Sequence, residues 1–159
     1  MNKILMAMAL SAAFVAMPAT AEMYVGAGLG TSKTDSNNTS FKLFTGYQST
    51  PYLGVEVAYN DFGNYRGASA NSWSLAGIGT MQMNKYWDIF AKIGATANHT
   101  NLTGSSSHSD LLAGVGVSYN VAPNLAVRFE YEDFGALPKD VHGTSSKATN
   151  LGLNAKYSF

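Results

Sequence analysis

The sequence predicts an all-β protein, an eight-stranded antiparallel up-and-down transmembrane β-barrel. Three observations predict it. Residues alternate with period two through eight segments of about nine to twelve residues each. The connections between those segments alternate short and long. In nearly every segment one face is apolar from end to end, and the charged residues collect on the other. Strands of soluble proteins average nearer five or six residues, whereas a tilted strand needs about nine to eleven to cross a bilayer.

Ahead of the first segment stands a different kind of sequence. Met1–Lys3 is a short basic start, Ile4–Ala16 is apolar and uncharged, Pro18 breaks the run, and Ala19-Thr20-Ala21 supplies a small-x-small pattern. This predicts a signal peptide over residues 1–21, cut between Ala21 and Glu22, and a barrel domain over 22–159. The alternative, a membrane anchor, is disfavoured because the apolar run is shorter than the ~20 residues a helical span needs.

The eight segments fall at 23–31, 40–49, 52–60, 72–83, 87–97, 110–120, 125–134 and 149–159. In the first, Met23, Val25, Ala27 and Leu29 alternate with Tyr24, Gly26, Gly28 and Gly30. In the last, Leu151, Leu153, Ala155, Tyr157 and Phe159 alternate with Gly152, Asn154, Lys156 and Ser158. Tight turns at Ser49-Thr50-Pro51, Asn84-Lys85-Tyr86 and around Val121-Ala122-Pro123 join pairs of segments at one end. The connections at the other end, 32–39, 61–71, 98–109 and 135–148, are rich in Ser, Thr, Asn and Gly and read as solvated loops. Short turns at one end and long loops at the other describe a meandering barrel.

Composition agrees. Charged residues are 13% of the chain, about half the ~25% of an average soluble domain. There are 16 glycines, 12% aromatics and no cysteine, so a disulfide framework and a thiolate metal site are excluded. A formal charge of zero gives no reason to expect nucleic acid as a partner.

The face assignment separates a membrane barrel from a soluble sandwich. The opposite face carries small residues such as Gly26, Gly46, Gly94, Gly114 and Gly116 rather than a water-facing Lys/Glu/Thr surface. Lys42, Glu56, Asp88, Lys92, Arg128, Glu130, Glu132 and Lys156 all fall on this face. Four positive and four negative charges in a confined lumen suit mutual pairing. A network of Glu56, Arg128, Lys92, Glu130, Lys42 and Lys156 is the expectation. Outward aromatics cluster near strand ends: Tyr47, Trp87, Tyr119, Tyr157 and Phe159 toward the short turns, and Phe41, Tyr59, Trp73 and Tyr131 toward the loops. Two girdles flanking an aliphatic band are the interfacial pattern of membrane barrels.

An internal echo runs at an offset of 72 residues. Pro51, Leu53, Val55, Tyr59 and Asp61-Phe62-Gly63 align with Pro123, Leu125, Val127, Tyr131 and Asp133-Phe134-Gly135, and Glu56 aligns with Arg128. The echo predicts two similar half-barrels, with Glu56 and Arg128 opposite each other across the lumen and long enough to meet as a bidentate pair. Convergence in a shared environment explains the apolar matches. Asp-Phe-Gly reads as a real structural equivalence; its resemblance to a kinase motif is set aside because it follows a strand in a chain with no ATP-site elements.

These residues resemble a family, the OmpA-type transmembrane domain of Gram-negative outer membranes. The likeness is carried by Met23–Gly30, Gly46-Tyr47-Gln48, Pro51–Glu56, Ala126–Tyr131 and the final Tyr157-Ser158-Phe159. It implies an outer-membrane barrel surrounded by lipid and lipopolysaccharide. It also implies an assembly signal at Tyr157 and Phe159 read by the outer-membrane insertion machinery, and charge pairs in the lumen such as Glu56 with Arg128. Inward positions where relatives carry a further Lys–Glu pair hold Ile78 and Ser118, a departure that puts a complete polar gate in question. Peptidoglycan binding, the work of a further domain in many relatives, is not carried over to this chain.

Catalytic and cofactor motifs are weak. His99, His108 and His142 sit in expected loops. His108-Ser109-Asp110 places three triad residue types side by side, but neighbours on an extended chain point apart and cannot form a relay. Gly26-x-Gly28-x-Gly30 lies within a strand with no following helix, so no phosphate site is formed. His99 and His108 lack a fixed ligand spacing on one face. No cofactor and no metal are expected. The reading is a non-enzymatic barrel that displays four loops, with a narrow pore, a loop-borne adhesin for an extracellular ligand, or a lipid A-modifying enzyme as alternatives.

Overall fold

The computed structural model describes residues 22–33, 37–65, 68–100, 106–136 and 147–159. The expected signal peptide and its cleavage junction at Ala21 lie outside them, apart from Glu22.

Eight antiparallel strands close into one barrel in sequence order. They are β1 (Glu22–Lys33), β2 (Asn37–Gln48), β3 (Leu53–Tyr65), β4 (Ala68–Gln82), β5 (Trp87–Thr100), β6 (Ser106–Ala122), β7 (Leu125–Ala136) and β8 (Lys147–Ser158). Closure comes from β1 against β8, where Leu29 faces Leu153 and Tyr24 faces Ser158. The Phe159 amide donates to the Met23 carbonyl at 2.9 Å and finishes the seam. A closed sheet pairs every strand on both sides, which is what a bilayer demands of a β-structure.

All eight expected segments are strands, but the expected loops are too long. β4 runs 15 residues and β6 runs 17, well past the length a bilayer needs. Strand pairing continues through Ser106↔Thr100 and Lys33↔Asn37. Serine, threonine and asparagine outside the apolar band read as loop by composition, yet an existing ladder extends readily through them because each added pair satisfies more backbone groups.

The short turns use side-chain acceptors. Thr50 Oγ1 accepts from the Leu53 amide at 3.0 Å, and Asn84 Oδ1 accepts from Tyr86 and Trp87 at 2.9 and 3.1 Å. Both residue types favour turns because they replace lost backbone partners locally. The third turn centres on Pro123-Asn124, with a bulge between Asn120 and Ala122.

The side chains alternate as period two requires. Val25, Leu29, Leu43, Val55, Leu75, Ile93, Leu111, Val115, Phe129 and Leu153 point outward and are exposed. Exposed apolar residues on this scale would be a liability in water and are the solvated state in lipid. Inside, three large aromatics sit across the pairing register from glycines: Tyr24 from Gly46, Phe44 from Gly26 and Phe90 from Gly116. A Cβ at any of these glycines would collide with the facing ring. The small-residue face therefore makes room for large lumen side chains.

Candidate functional site

The lumen is the one place where chemistry-bearing side chains converge among the described residues. From the turn side inward it holds a ring of apolar side chains, a charge layer and an apolar plug.

The charge layer joins six side chains from four strands. Arg128 Nη1 on β7 donates to Glu56 Oε2 on β3 at 2.8 Å. Glu56 Oε1 faces Lys92 Nζ on β5 at 3.0 Å and Lys42 Nζ on β2 at 3.5 Å. Lys42 Nζ lies 2.8 Å from both Glu130 Oε1 and Glu132 Oε1. Lys92 Nζ lies 2.6 Å from Glu130 Oε2 and 2.8 Å from Glu132 Oε1. All six are buried. Three cations meet three carboxylates, so the layer is formally neutral. Neutrality matters because an unpaired ion here would bear a desolvation cost of several kcal/mol.

Neutral groups orient the layer. The Tyr24 hydroxyl donates to Glu56 Oε2 at 3.2 Å, and Asn154 Nδ2 donates to Glu130 Oε1 at 2.6 Å. The Arg128 guanidinium lies 4.2 Å from the Phe90 ring centroid and 5.0 Å from that of Phe44. Aromatic faces on a desolvated guanidinium contribute about 1–2 kcal/mol and hold its plane.

The loop-side plug is Phe62, Phe134, Leu112, Ala76 and Ala148. The two rings meet edge to face with centroids 5.1 Å apart. The two Asp-Phe-Gly tripeptides build it in the same way. Gly63 and Gly135 adopt φ of +73° and +70°, a left-handed conformation that favours glycine. Asp61 Oδ1 accepts from the Gly63 amide at 2.8 Å, and Asp133 Oδ1 from the Gly135 amide at 3.1 Å. In each case the strand register slips, between Asp61 and Asn64 and between Asp133 and Ala136. A bulge frees a backbone group, and both carbonyls freed here find side-chain donors: Ser32 Oγ for Phe62 O at 3.2 Å, and Asn98 Nδ2 for Phe134 O at 3.1 Å.

Several expectations change on this geometry. Phe62, which falls in the expected loop 61–71, and Phe134, the last residue of an expected strand, are the largest fully buried side chains of the lumen. Glu56 and Arg128 meet, but through one oxygen rather than as a bidentate pair, because the second Glu56 oxygen serves the two lysines. Glu132 belongs to the layer although sequence reasoning left it out of the network. Lys156 does not join; it lies over the Tyr24 ring at 5.1 Å, nearer the turns. Ile78 and Ser118 are inward and buried, and the layer forms without charges there. Tyr24, Phe44 and Phe90 were missed as site residues, though their place on the glycine face was the available signal.

Every girdle residue expected outward points outward. Tyr59 packs on Trp73 at 5.1 Å, Trp87 on Tyr119 at 4.8 Å and Tyr157 on Phe159 at 5.3 Å. Phe41, Tyr47 and Tyr131 share that face, Tyr47 by its pairing with Met23 and Val55. Of the histidines, His99 Nδ1 lies 3.3 Å from the Ala97 carbonyl, while the side chains of His108 and His142 fall outside the described residues. The carboxylates of Glu56, Glu130 and Glu132 are close enough to hold a cation together, but the Lys42 and Lys92 ammonium groups already serve them.

A closed eight-stranded barrel with an apolar exterior, aromatic girdles and a charge-paired lumen defines a transmembrane β-barrel. The chain belongs to the OmpA-like transmembrane domain family, whose family model matches residues 18–159. It is accordingly an outer-membrane protein. Outer membrane protein A of Shigella dysenteriae is 28% identical over 91% of this chain and 50% of its own length. Outer membrane protein A of Escherichia fergusonii is 30% identical over 74% of this chain and 42% of its own length. The chain thus spans no more than half the length of these two curated relatives. Among solved structures, the N-terminal β-barrel domain of Pseudomonas aeruginosa OprF superposes with a TM-score of 0.66 at 13% identity, covering 86% of this chain and 97% of that one. Yersinia pestis Ail, solved with the heparin analogue sucrose octasulfate, gives 0.59 at 20% identity, covering 88% and 99%. These two likenesses concern the fold.

Proposed function

We propose that the protein is a sealed structural barrel that anchors surface-displayed strand ends and loops in the outer membrane. The observation that carries this reading is the filled lumen. A neutral charge layer and an aromatic plug lie in series across a barrel whose strand count already leaves room for little but side chains. The short turns face the periplasm and the long strand ends face outward, the usual arrangement of such barrels. Tyr157 and Phe159 serve as the assembly signal, cleavage after Ala21 releases the barrel, and no catalytic role is assigned to the lumen or the histidines.

The chain has no cysteine, so single thiols report topology cleanly. Lys33→Cys, at the loop-side end of β1, is expected to react with a membrane-impermeant maleimide on intact cells. Asn84→Cys, in the turn between β4 and β5, is expected to react only after permeabilisation. The opposite pattern, or labelling of both on intact cells, would overturn the display reading.

A narrow pore is the second reading. It is favoured by a water-accessible recess that reaches Arg128 from the turn side. Conductance decides between the two.

A further inference from the structure

At the turn-side mouth the lumen is not filled. A vestibule of about 210 Å³ opens there, with Arg128 and Tyr24 at its inner wall and Glu22, Asp88, Asn120 and Lys156 around it. That is room for several water-sized groups. The Arg128 charge is already taken by Glu56 at 2.8 Å. Lys156 is different. Its ammonium lies over the Tyr24 ring at 5.1 Å and has no carboxylate at ion-pairing distance among the described residues. Across the same cavity Asp88 is fixed by Asn120, whose Nδ2 donates to Asp88 Oδ2 at 2.9 Å. Glu22 also lines the wall, and cleavage after Ala21 would set an α-ammonium beside its carboxylate, so Asp88 is the carboxylate that faces Lys156 without a charge of its own to balance it.

Opposite charges therefore face one small cavity without touching. A lone anion would be drawn to Lys156 but repelled by Asp88. A lone cation would meet the reverse. A solute carrying both charges a short distance apart satisfies both walls at once, and each contact is a charge-assisted hydrogen bond.

We propose that the turn-side vestibule binds a small zwitterion of amino-acid size, its carboxylate toward Lys156 and its ammonium toward Asp88. The site is reached from the turn side, with the charge layer and the plug behind it. It does not depend on whether the barrel conducts.

The test is a titration of isotope-labelled protein, purified from membranes into nanodiscs, with glycine as the probe and acetate and methylammonium as its two halves. Backbone amide shifts of Asn120, Lys156 and Ser158 are the readout. Glycine is expected to give saturable shifts at these three amides, with each half binding roughly tenfold or more weakly, the loss of one charge-assisted contact. Lys156→Gln is expected to lower glycine affinity by a similar factor while retaining the folded barrel's gel mobility. Asp88→Asn provides the same test from the other wall. Lys85→Gln, in a turn outside the vestibule, is expected to change nothing. No saturable response to glycine, equal affinity for acetate, or unchanged binding in both Lys156→Gln and Asp88→Asn would overturn the proposal.

Discussion

Phe62 and Phe134 stand 72 positions apart in sequence, like Glu56 and Arg128, and their rings meet edge to face at 5.1 Å inside the lumen. Two equivalent bulges on opposite strands thus deliver their central side chains to one point. Phe134→Ala should cost about 3–5 kcal/mol, the usual loss for a fully buried Phe. Phe62→Ala should cost a similar amount, and the double variant less than their sum because the second truncation removes a ring already lacking its partner. Urea unfolding of the lipid-reconstituted barrel measures both. Full additivity would mean that the rings do not support each other.

The Glu56–Arg128 pair invites a double-mutant cycle. Arg128→Met leaves two cations against three carboxylates, and Glu56→Gln leaves the reverse. Each should cost up to about 3–5 kcal/mol. Lys92 and Lys42 stay beside Glu56, which places the expected loss at the lower end for Arg128→Met. The double variant restores a neutral layer and should cost clearly less than the sum of the singles. Strict additivity would mean that the layer is not coupled as its geometry indicates.

The two positive-φ glycines should differ in their tolerance of alanine. A left-handed residue with a Cβ costs about 1–2 kcal/mol at either position. At Gly63 the added carbon would meet the Thr39 carbonyl at 3.0 Å, whereas at Gly135 it would run into the Asp110 carboxylate. Gly135→Ala is therefore expected to lower the unfolding midpoint more than Gly63→Ala. Equal effects would show that Asp110 moves aside without cost.

Deleting Phe159 should reduce the amount of protein reaching the outer membrane far more than it destabilises barrel already folded. The side chain is largely exposed to lipid and leans on Tyr157, and its amide closes the seam to Met23. Fractionation of cells measures the first effect and unfolding of refolded protein the second. Normal membrane levels of the deletion variant would contradict the assembly role.

Much of the fold was legible because a membrane barrel obeys few rules strictly. Period two fixes the face of each residue, and alternation of turn and loop length fixes the topology. Hence the placement of Lys42, Glu56, Lys92 and Arg128 on one face followed from parity alone. What stayed hidden was depth and register. Nothing in the alternation says that Lys42 reaches Glu130 and Glu132 while Lys156 reaches neither, because that depends on strand stagger around the barrel. The inward placement of Phe62 and Phe134 stayed hidden for a related reason. Asp-Phe-Gly followed by polar residues has loop composition, and only the bulge geometry shows that the strand continues past the phenylalanine. Parity carried forward from Asn60 and Glu132 would have placed both rings inside.

The most direct test of the sealed lumen is conductance across a planar bilayer. The refolded protein is reconstituted, and its insertion is verified independently by heat-modifiable gel mobility. The structure predicts no sustained single-channel steps in symmetric salt, since the Glu56–Arg128 layer and the Phe62–Phe134 plug lie in series. Stable, reproducible conductance from the unaltered protein would contradict it and establish the narrow pore instead.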